Sequence, residues 1–380
     1  MTEIRLPAKL ARPRAAGAVE RPRLFALLDA QHDCSLVWIF GPPGSGKTNL
    51  ITTYLDHNKC PTLWFRIDEG DRDAATFFSY LGEAAATFKG KRGKNLPRLT
   101  PEYLLDIAGF SRRYFRELFA SLPPGCALVL DNFESAGNAL DKFLAIAALE
   151  VPPGMRLLVT SRTAPGDALN HLTAKGVLGQ LSWDDLRLTP AEASAIQEKS
   201  RARLTDSVES LHAMCDGWVA GFVVMLGHGH ETGLANPKTV GAVRESLFAY
   251  FIKEMFERAD APTRELLLKT AIMPSFSLAQ ATSLCSHTDG HGVLVQLTRH
   301  NFFIDLSLDA EPVYRYHGLF RDFLLAQGKN FFTPAQRHKL LVQAARLLGS
   351  AGQSDEALVL LDRIWDNFFP FDSERKATSG

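Results

Sequence analysis

Residues 37–50 read VWIFGPPGSGKTNL. An apolar run enters a glycine-rich turn, and the turn enters a segment of helical composition. Gly41 to Thr48 satisfies G-x-x-x-x-G-K-[ST], a phosphate-gripping loop when a strand precedes it and a helix follows. Glycines let the backbone turn so that its N–H groups face phosphate oxygens, and the helix points its positive end at them. In such a loop the lysine, here Lys47, reaches the β- and γ-phosphates, and the hydroxyl of Thr48 ligates Mg²⁺. Gly41, Pro42, Pro43, Gly44, Ser45, Gly46, Lys47, Thr48 and Asn49 are therefore the expected nucleotide-binding residues.

Working outward, short apolar runs at 36–40, 62–67, 127–130, 156–160 and 177–181 are rich in Val, Leu and Ile. They lack polar alternation, as parallel strands buried on both faces do. Helical patterns at 47–57, 74–88 and 101–122 lie between them. This βαβ series predicts an α/β P-loop domain, a parallel sheet with helices on both faces, over residues 1–185.

CALVLDNFES (126–135) supplies the second half of a nucleotide site. An apolar strand ends in Asp131, where a carboxylate holds Mg²⁺ through water. With Thr48 it forms the expected metal pair. Asn132 follows where efficient hydrolysis favours an acid; an amide hydrogen-bonds water but does not accept its proton near neutral pH. Lys47, Asp131 and Asn132 are the expected catalytic positions, with slow chemistry. Glu134 stands two residues further on, as a loop residue. RLLVTSRT (156–163) ends a strand with Arg162 nearby, and an arginine there can sense the γ-phosphate by a bidentate contact.

Beyond the sheet the pattern changes. LTPAEASAIQEKS (188–200) has Thr189 as N-cap and Pro190 in the first turn, opening a small helical domain over 186–235. GHGHETGLANP (227–237) reads as a linker. Residues 236–330 are mostly helical and contain FFIDLSLDAEPVYRYH, an apolar run, an acidic turn and a second run at 313–316. That is a hairpin, and helices closed by a hairpin predict a winged helix. Residues 331–370 read as the start of an α-helical repeat arm, with a disordered tail at 371–380. A lone repeat unit buries its face poorly, so the chain reads as truncated.

Composition narrows the function classes. Lys plus Arg and Asp plus Glu both count 42 in 380 residues, a net charge of zero, which argues against a chain-wide nucleic-acid grip. The would-be recognition stretch HGVLVQLTRHNFF offers only Gln296, Arg299 and His300 as groove-reaching groups. No run approaches the roughly 18 apolar residues of a membrane span. Five scattered cysteines without a CxxC pair suggest reduced thiols in the cytoplasm. CSHTDGHG (285–292) alternates possible metal ligands but reads first as an exposed turn.

The ordered set of motifs resembles the MalT-like branch of the STAND ATPases, bacterial signal-transduction NTPases. KLARP (9–13), VERPRLFALL (19–28), TLWFRIDEGDRDAATFFSYL (62–81), RLLVTSRTAP, WDDLRLTPAEA, CDGWVAGF, RHNFFI and YRYHGLFRDFLL follow in the family's order. The resemblance spans residues 9–362. It implies ATP or ADP with Mg²⁺ as cofactors, and an ADP-bound closed monomer that an inducer and ATP open into a homo-oligomer. It places Val19 and Arg21 near the adenine and makes His317 a latch on the β-phosphate of ADP. Val219 stands where the family carries a proline against the base. DNA binding in this family resides in a C-terminal effector domain, which nothing in this chain resembles. The expected function is thus an ATP/ADP-dependent switch, the regulatory core of a transcriptional activator with weak ATPase turnover as its reset. A remodelling AAA+-like ATPase and a non-hydrolysing, nucleotide-bound scaffold are the alternatives. The first predicts brisk turnover, against which Asn132 speaks; the second predicts that bound nucleotide never exchanges.

Overall fold

A computed structural model describes residues 7–361 apart from 16, 87, 89–95, 201–206, 229–244, 253–255, 258, 286–289, 300–302, 308–311 and 359. Two units divide the chain, Met1–Ala213 with Gly217–Ala235, and Met214–Asp216 with Asn236–Gly380.

The first unit is built on a parallel sheet. Its strands are β1 (Leu36–Phe40), β2 (Thr62–Arg66), β3 (Ala127–Asp131), β4 (Arg156–Ser161) and β5 (Leu178–Leu181), in the order β2-β3-β4-β1-β5. β3 is buried along its whole length, as its unbroken apolar run requires. Leu36 of β1 stands opposite Leu157 of β4 on one side and Leu178 of β5 on the other. The step from β1 to β2 runs one way along the sheet, and the steps from β2 onward run back. Right-handed crossovers therefore place the helix after β1 on the face opposite to those that follow. That helix, α2 (Lys47–His57), packs with α1 (Pro22–Ala30) through the Phe25–Tyr54 edge contact. The other face carries α3 (Ala74–Ala86), α4 (Ile107–Ser121) and α5 (Asp141–Glu150), closed by Phe78 against Phe110, Tyr114 and Phe143. The predicted helix over 101–122 is broken, because Pro101–Asp106 is a 3₁₀ turn and α4 begins only where Asp106 caps it. Glu134, read as a loop residue, lies in a 3₁₀ segment, Phe133–Leu140.

Two short helices, α6 (Asn170–Ala174) before it and α7 (Trp183–Leu186) after it, flank β5 in sequence. α8 (Pro190–Ser200) starts at a reciprocal cap in which the Glu192 N–H donates to Thr189 Oγ1 and the Thr189 N–H donates to Glu192 Oε2. α9 (Val208–Cys215) and α10 (Val219–His228) follow.

The second unit contains helices Ala261–Thr270, Leu278–Leu284 and Gly290–Arg299, then the hairpin of β7 (Ile304–Ser307) and β8 (Val313–Tyr316). A two-residue strand, β6 (Phe276–Ser277), pairs antiparallel with β8 and completes a three-stranded sheet. Its core is aromatic, with Phe251 against Phe303, Phe320 and Phe323. Helices Gly318–Phe331 and Pro334–Ser350 follow, and Gln280 Nε2 donates to Gln353 Oε1 across 2.8 Å. The tail at 371–380, the linker from residue 229 and residues 286–289 of the CSHTDGHG turn lie outside the described residues. So do His300 and the side chains of Gln296 and Arg299. Among the described residues no group of three or more His, Cys, Asp or Glu is placed to hold a metal ion. No described helix is long and apolar enough to cross a membrane.

Candidate functional site: a nucleotide cradle at the carboxyl edge of the sheet

β1 delivers the chain into the 41–46 turn, and α2 takes it away. Gly44 and Gly46 hold φ of 74° and 88°, the left-handed region that glycine enters without steric cost. Gly46 is the N-cap of α2, and no side chain caps its first N–H groups. Four consecutive loop carbonyls are bonded. Those of Gly41 and Pro42 accept from the Lys47 ammonium at 2.7 and 2.9 Å. That of Pro43 accepts from the Trp218 indole N–H at 3.0 Å, and that of Gly44 from the Ala220 N–H at 3.0 Å. In a trans peptide the N–H points opposite to the C=O, and no peptide of the described chain is cis. Holding the Pro43 carbonyl toward Trp218 therefore turns the Gly44 N–H the other way, as an anion cradle needs, while the Ser45 N–H donates to Pro42 O at 3.2 Å.

Lys47 as a residue is only half-buried, yet its ammonium is enclosed by loop oxygens, including Ser45 Oγ at 3.2 Å. Desolvation pushes its pKa down to about 8; Glu134 and Asp131 oppose that and Arg162 adds to it. A negatively charged ligand beside this ammonium would restore its full charge.

Asp131, at the end of β3, is 5% exposed and accepts from the Thr48 hydroxyl at 3.0 Å and the Thr160 hydroxyl at 2.5 Å. β4 lies between β3 and β1, so Thr160 bridges the carboxylate to the loop side of the sheet. One carboxylate and one hydroxyl leave most of an octahedral Mg²⁺ shell to phosphate oxygens and water. The pair fits a nucleotide-bound magnesium rather than a metal held by protein alone.

Asn132 has φ 64° and ψ 40°, a left-handed position that asparagine tolerates better than most residues. Its Nδ2 donates to Ile67 O at 3.1 Å and to Ser135 Oγ at 2.6 Å. Glu134 is more engaged than a loop position suggests. Its Oε1 lies 3.0 Å from Arg162 Nε, and its Oε2 accepts the Arg162 backbone N–H at 3.1 Å.

Arg21 is 7% exposed, and its guanidinium donates to Leu186 O, Arg187 O and Glu192 Oε2 at 3.0, 2.8 and 2.7 Å. Desolvation works to raise the Glu192 pKa, but Arg21, the Thr189 N–H and Arg23 outweigh it and hold the carboxyl below its usual range. Arg21 thus fastens the N-terminal segment to the start of α8, and Lys199 Nζ binds the neighbouring Ala18 O. Val19, between them, is half-buried. Val219 lies against Gly46: a Cβ added to that glycine would stand 3.5 Å from its Cγ2. The acidic turn after β2 holds the other end of the N-terminal segment. Lys9 Nζ bonds Asp68 at 2.8 Å and Asp71 at 2.9 Å, above the Tyr80 ring.

His317 belongs to the second unit. It is 5% exposed, stands edge-on to Phe303, and its Nε2 is 2.9 Å from Cys215 O. Trp218 is fully buried and also bonded to the loop. The Glu134–Arg162 pair, the Trp218 contact and the Thr160 bridge escaped the sequence reading because each joins residues distant along the chain.

Residues 252–336 match the family described as the MalT winged helix domain. The HTH-type transcriptional regulator MalT of Vibrio cholerae is 27% identical over 372 residues, covering 93% of this chain and 40% of that protein. The Vibrio parahaemolyticus regulator of the same description is 25% identical over 333 residues, 84% of this chain and 36% of its own length. The chain spans about two-fifths of the length of these curated relatives. A Walker-type ATPase of Pyrococcus abyssi shares the fold, with a TM-score of 0.58 at 15% identity over 84% of this chain and 99% of its own. In sequence the chain is similar to the MalT regulators, and it carries a P-loop ATPase fold followed by a MalT-type winged helix.

Proposed function

We propose that this chain is the nucleotide-operated switch of a transcriptional regulator, holding ADP in a closed state and ATP in an open one. The observation that carries this reading is the fastening of the loop. Its Pro43 and Gly44 carbonyls are bonded from Trp218 and Ala220 at the start of α10, so a change in what the loop holds is felt directly by the helices that follow the sheet. In this reading residues 1–185 bind the nucleotide, 186–235 form a small helical domain, 236–330 a winged-helix domain and 331–370 the start of an arm.

Lys47, the loop N–H groups and Asn49 at the helix start would take the phosphates. Thr48 and Asp131 would hold Mg²⁺, which when bound neutralises phosphate charge. Val19, Arg21 and Val219 are the proposed base-side contacts, with Arg21 acting through the backbone it fastens. His317 is the proposed latch on the diphosphate, and Arg162 the proposed reader of the γ-phosphate. Hydrolysis would be slow, a reset rather than a motor stroke. Asn132 is tied to Ile67 and Ser135 and accepts no proton, and Glu134 is engaged with Arg162. Assembly into a homo-oligomer and action on DNA through a separate effector domain belong to the same proposal.

Denaturing the purified protein and chromatographing the supernatant is expected to release stoichiometric adenine nucleotide, chiefly ADP. A site that proves empty, or one that releases only guanine nucleotide, contradicts the reading.

A further inference from the structure

We propose that Glu134 sets the discrimination between ATP and ADP, by competing with the γ-phosphate for the guanidinium of Arg162. The inference rests on the nucleotide-binding reading above and deepens it.

Glu134 grips a single residue at two points. One carboxylate oxygen meets the Arg162 side chain at Nε, and the other accepts that residue's own backbone N–H. The backbone bond does not depend on where the guanidinium points, so the carboxylate stays in place when the side chain leaves. Both side chains are partly enclosed, 13% exposed for Glu134 and 23% for Arg162, so water screens the pair only in part. The pair also stands close to the phosphate-binding ammonium, since Glu134 is the strongest single charge acting on Lys47, ahead of Asp131. A negative charge at that place disfavours ATP in two ways. It repels the added phosphoryl charge, and it occupies the cation that would bind it. ADP brings no group to that position and feels neither effect to the same degree. A ligand shifts a two-state equilibrium only by its differential interaction with the two states, and this pair opposes only the triphosphate. Glu134 is thus a specificity-determining residue that keeps the ADP state the resting one.

The test uses the full chain with Mg²⁺, a fluorescent ADP, and competition by unlabelled ADP and by a slowly hydrolysed ATP analogue. Glu134→Gln keeps the shape and the hydrogen bond from the Arg162 N–H while removing the charge. The affinity ratio of analogue to ADP is expected to rise about fivefold, the scale of a partly solvated ion pair, with the ADP affinity nearly unchanged. Glu134→Asp, which draws the carboxylate back, moves the ratio the same way by less. In an Arg162→Ala background, where only the direct repulsion is left, the Glu134→Gln shift is expected to be clearly smaller. Weaker analogue binding in Glu134→Gln, equal shifts for both nucleotides, no shift at all, or an undiminished shift in the Arg162→Ala background overturns the proposal. Those results leave the nucleotide-binding reading standing; a wild-type chain that binds neither nucleotide overturns both.

Discussion

Lys47→Ala is expected to lose nucleotide retention while keeping its fold. In the structure the ammonium touches only loop oxygens, those of Gly41, Pro42 and Ser45, and burial already disfavours its charge. Removing it therefore relieves a desolvation cost and frees carbonyls at the rim of a loop, a small net change in stability. Against a phosphate the same group makes charge-assisted bonds, the strong kind of hydrogen bond. Two such contacts of about 1.5–3 kcal/mol each correspond to a loss of roughly a hundredfold or more in affinity. Titration with a fluorescent ADP analogue, beside a thermal melt of each protein, separates the two quantities. Wild-type affinity in a folded Lys47→Ala chain would show that the loop is not the phosphate site.

The second large effect falls far along the chain. Trp218→Ala is expected to destabilise the first unit by about 3–5 kcal/mol, as large-to-small changes at fully buried aromatics do. Trp218 is 0% exposed, and its ring fills the space beside Gly221, where an added Cβ would approach it to 2.5 Å. Its indole also satisfies the Pro43 carbonyl. Trp218→Phe keeps an aromatic ring but loses that bond and part of the indole volume, about 1 kcal/mol for the hydrogen bond itself with a cavity cost added. The ordering matters more than either value. Urea denaturation should rank wild type, Phe and Ala in falling stability, and nucleotide affinity should fall in the same order, because the Pro43 carbonyl then loses its orientation. A Trp218→Ala chain as stable as wild type would remove α10 from the account of the loop.

Much of the fold was legible because its signals are local. The runs at 36–40, 62–67, 127–130, 156–160 and 177–181 are mostly apolar without polar alternation, and they lie within a residue or two of β1 to β5. The turn before Val313 marked the hairpin, and Thr189 with Pro190 marked the start of α8. Phe276–Ser277 was not legible, since two residues carry no periodicity; β6 exists only because β8 offers it a partner. The same boundary divides the candidate site. The cradle's own residues are neighbours in sequence, so their order alone announced them. What positions them is remote: 175 residues separate Trp218 from Pro43, and 28 separate Glu134 from Arg162. Arg21 illustrates the other difficulty. Resemblance placed it near the base, whereas its guanidinium is spent on Leu186, Arg187 and Glu192, so any influence on a base passes through the backbone it holds. No spacing rule in a single chain distinguishes a ligand contact from a buried clamp of the same residue type.

In a switch of this kind the bound nucleotide changes the state of the helices that grip the loop. Hydrogen–deuterium exchange of the peptide covering residues 217–228, compared between Mg²⁺·ADP and a slowly hydrolysed Mg²⁺·ATP analogue at saturation, tests it most directly. Slower exchange is expected at Ala220, whose N–H donates to Gly44 O, and along the rest of α10 with ADP than with the analogue. Identical exchange in the two complexes, with both nucleotides demonstrably bound, would contradict it and leave a nucleotide-holding scaffold in its place.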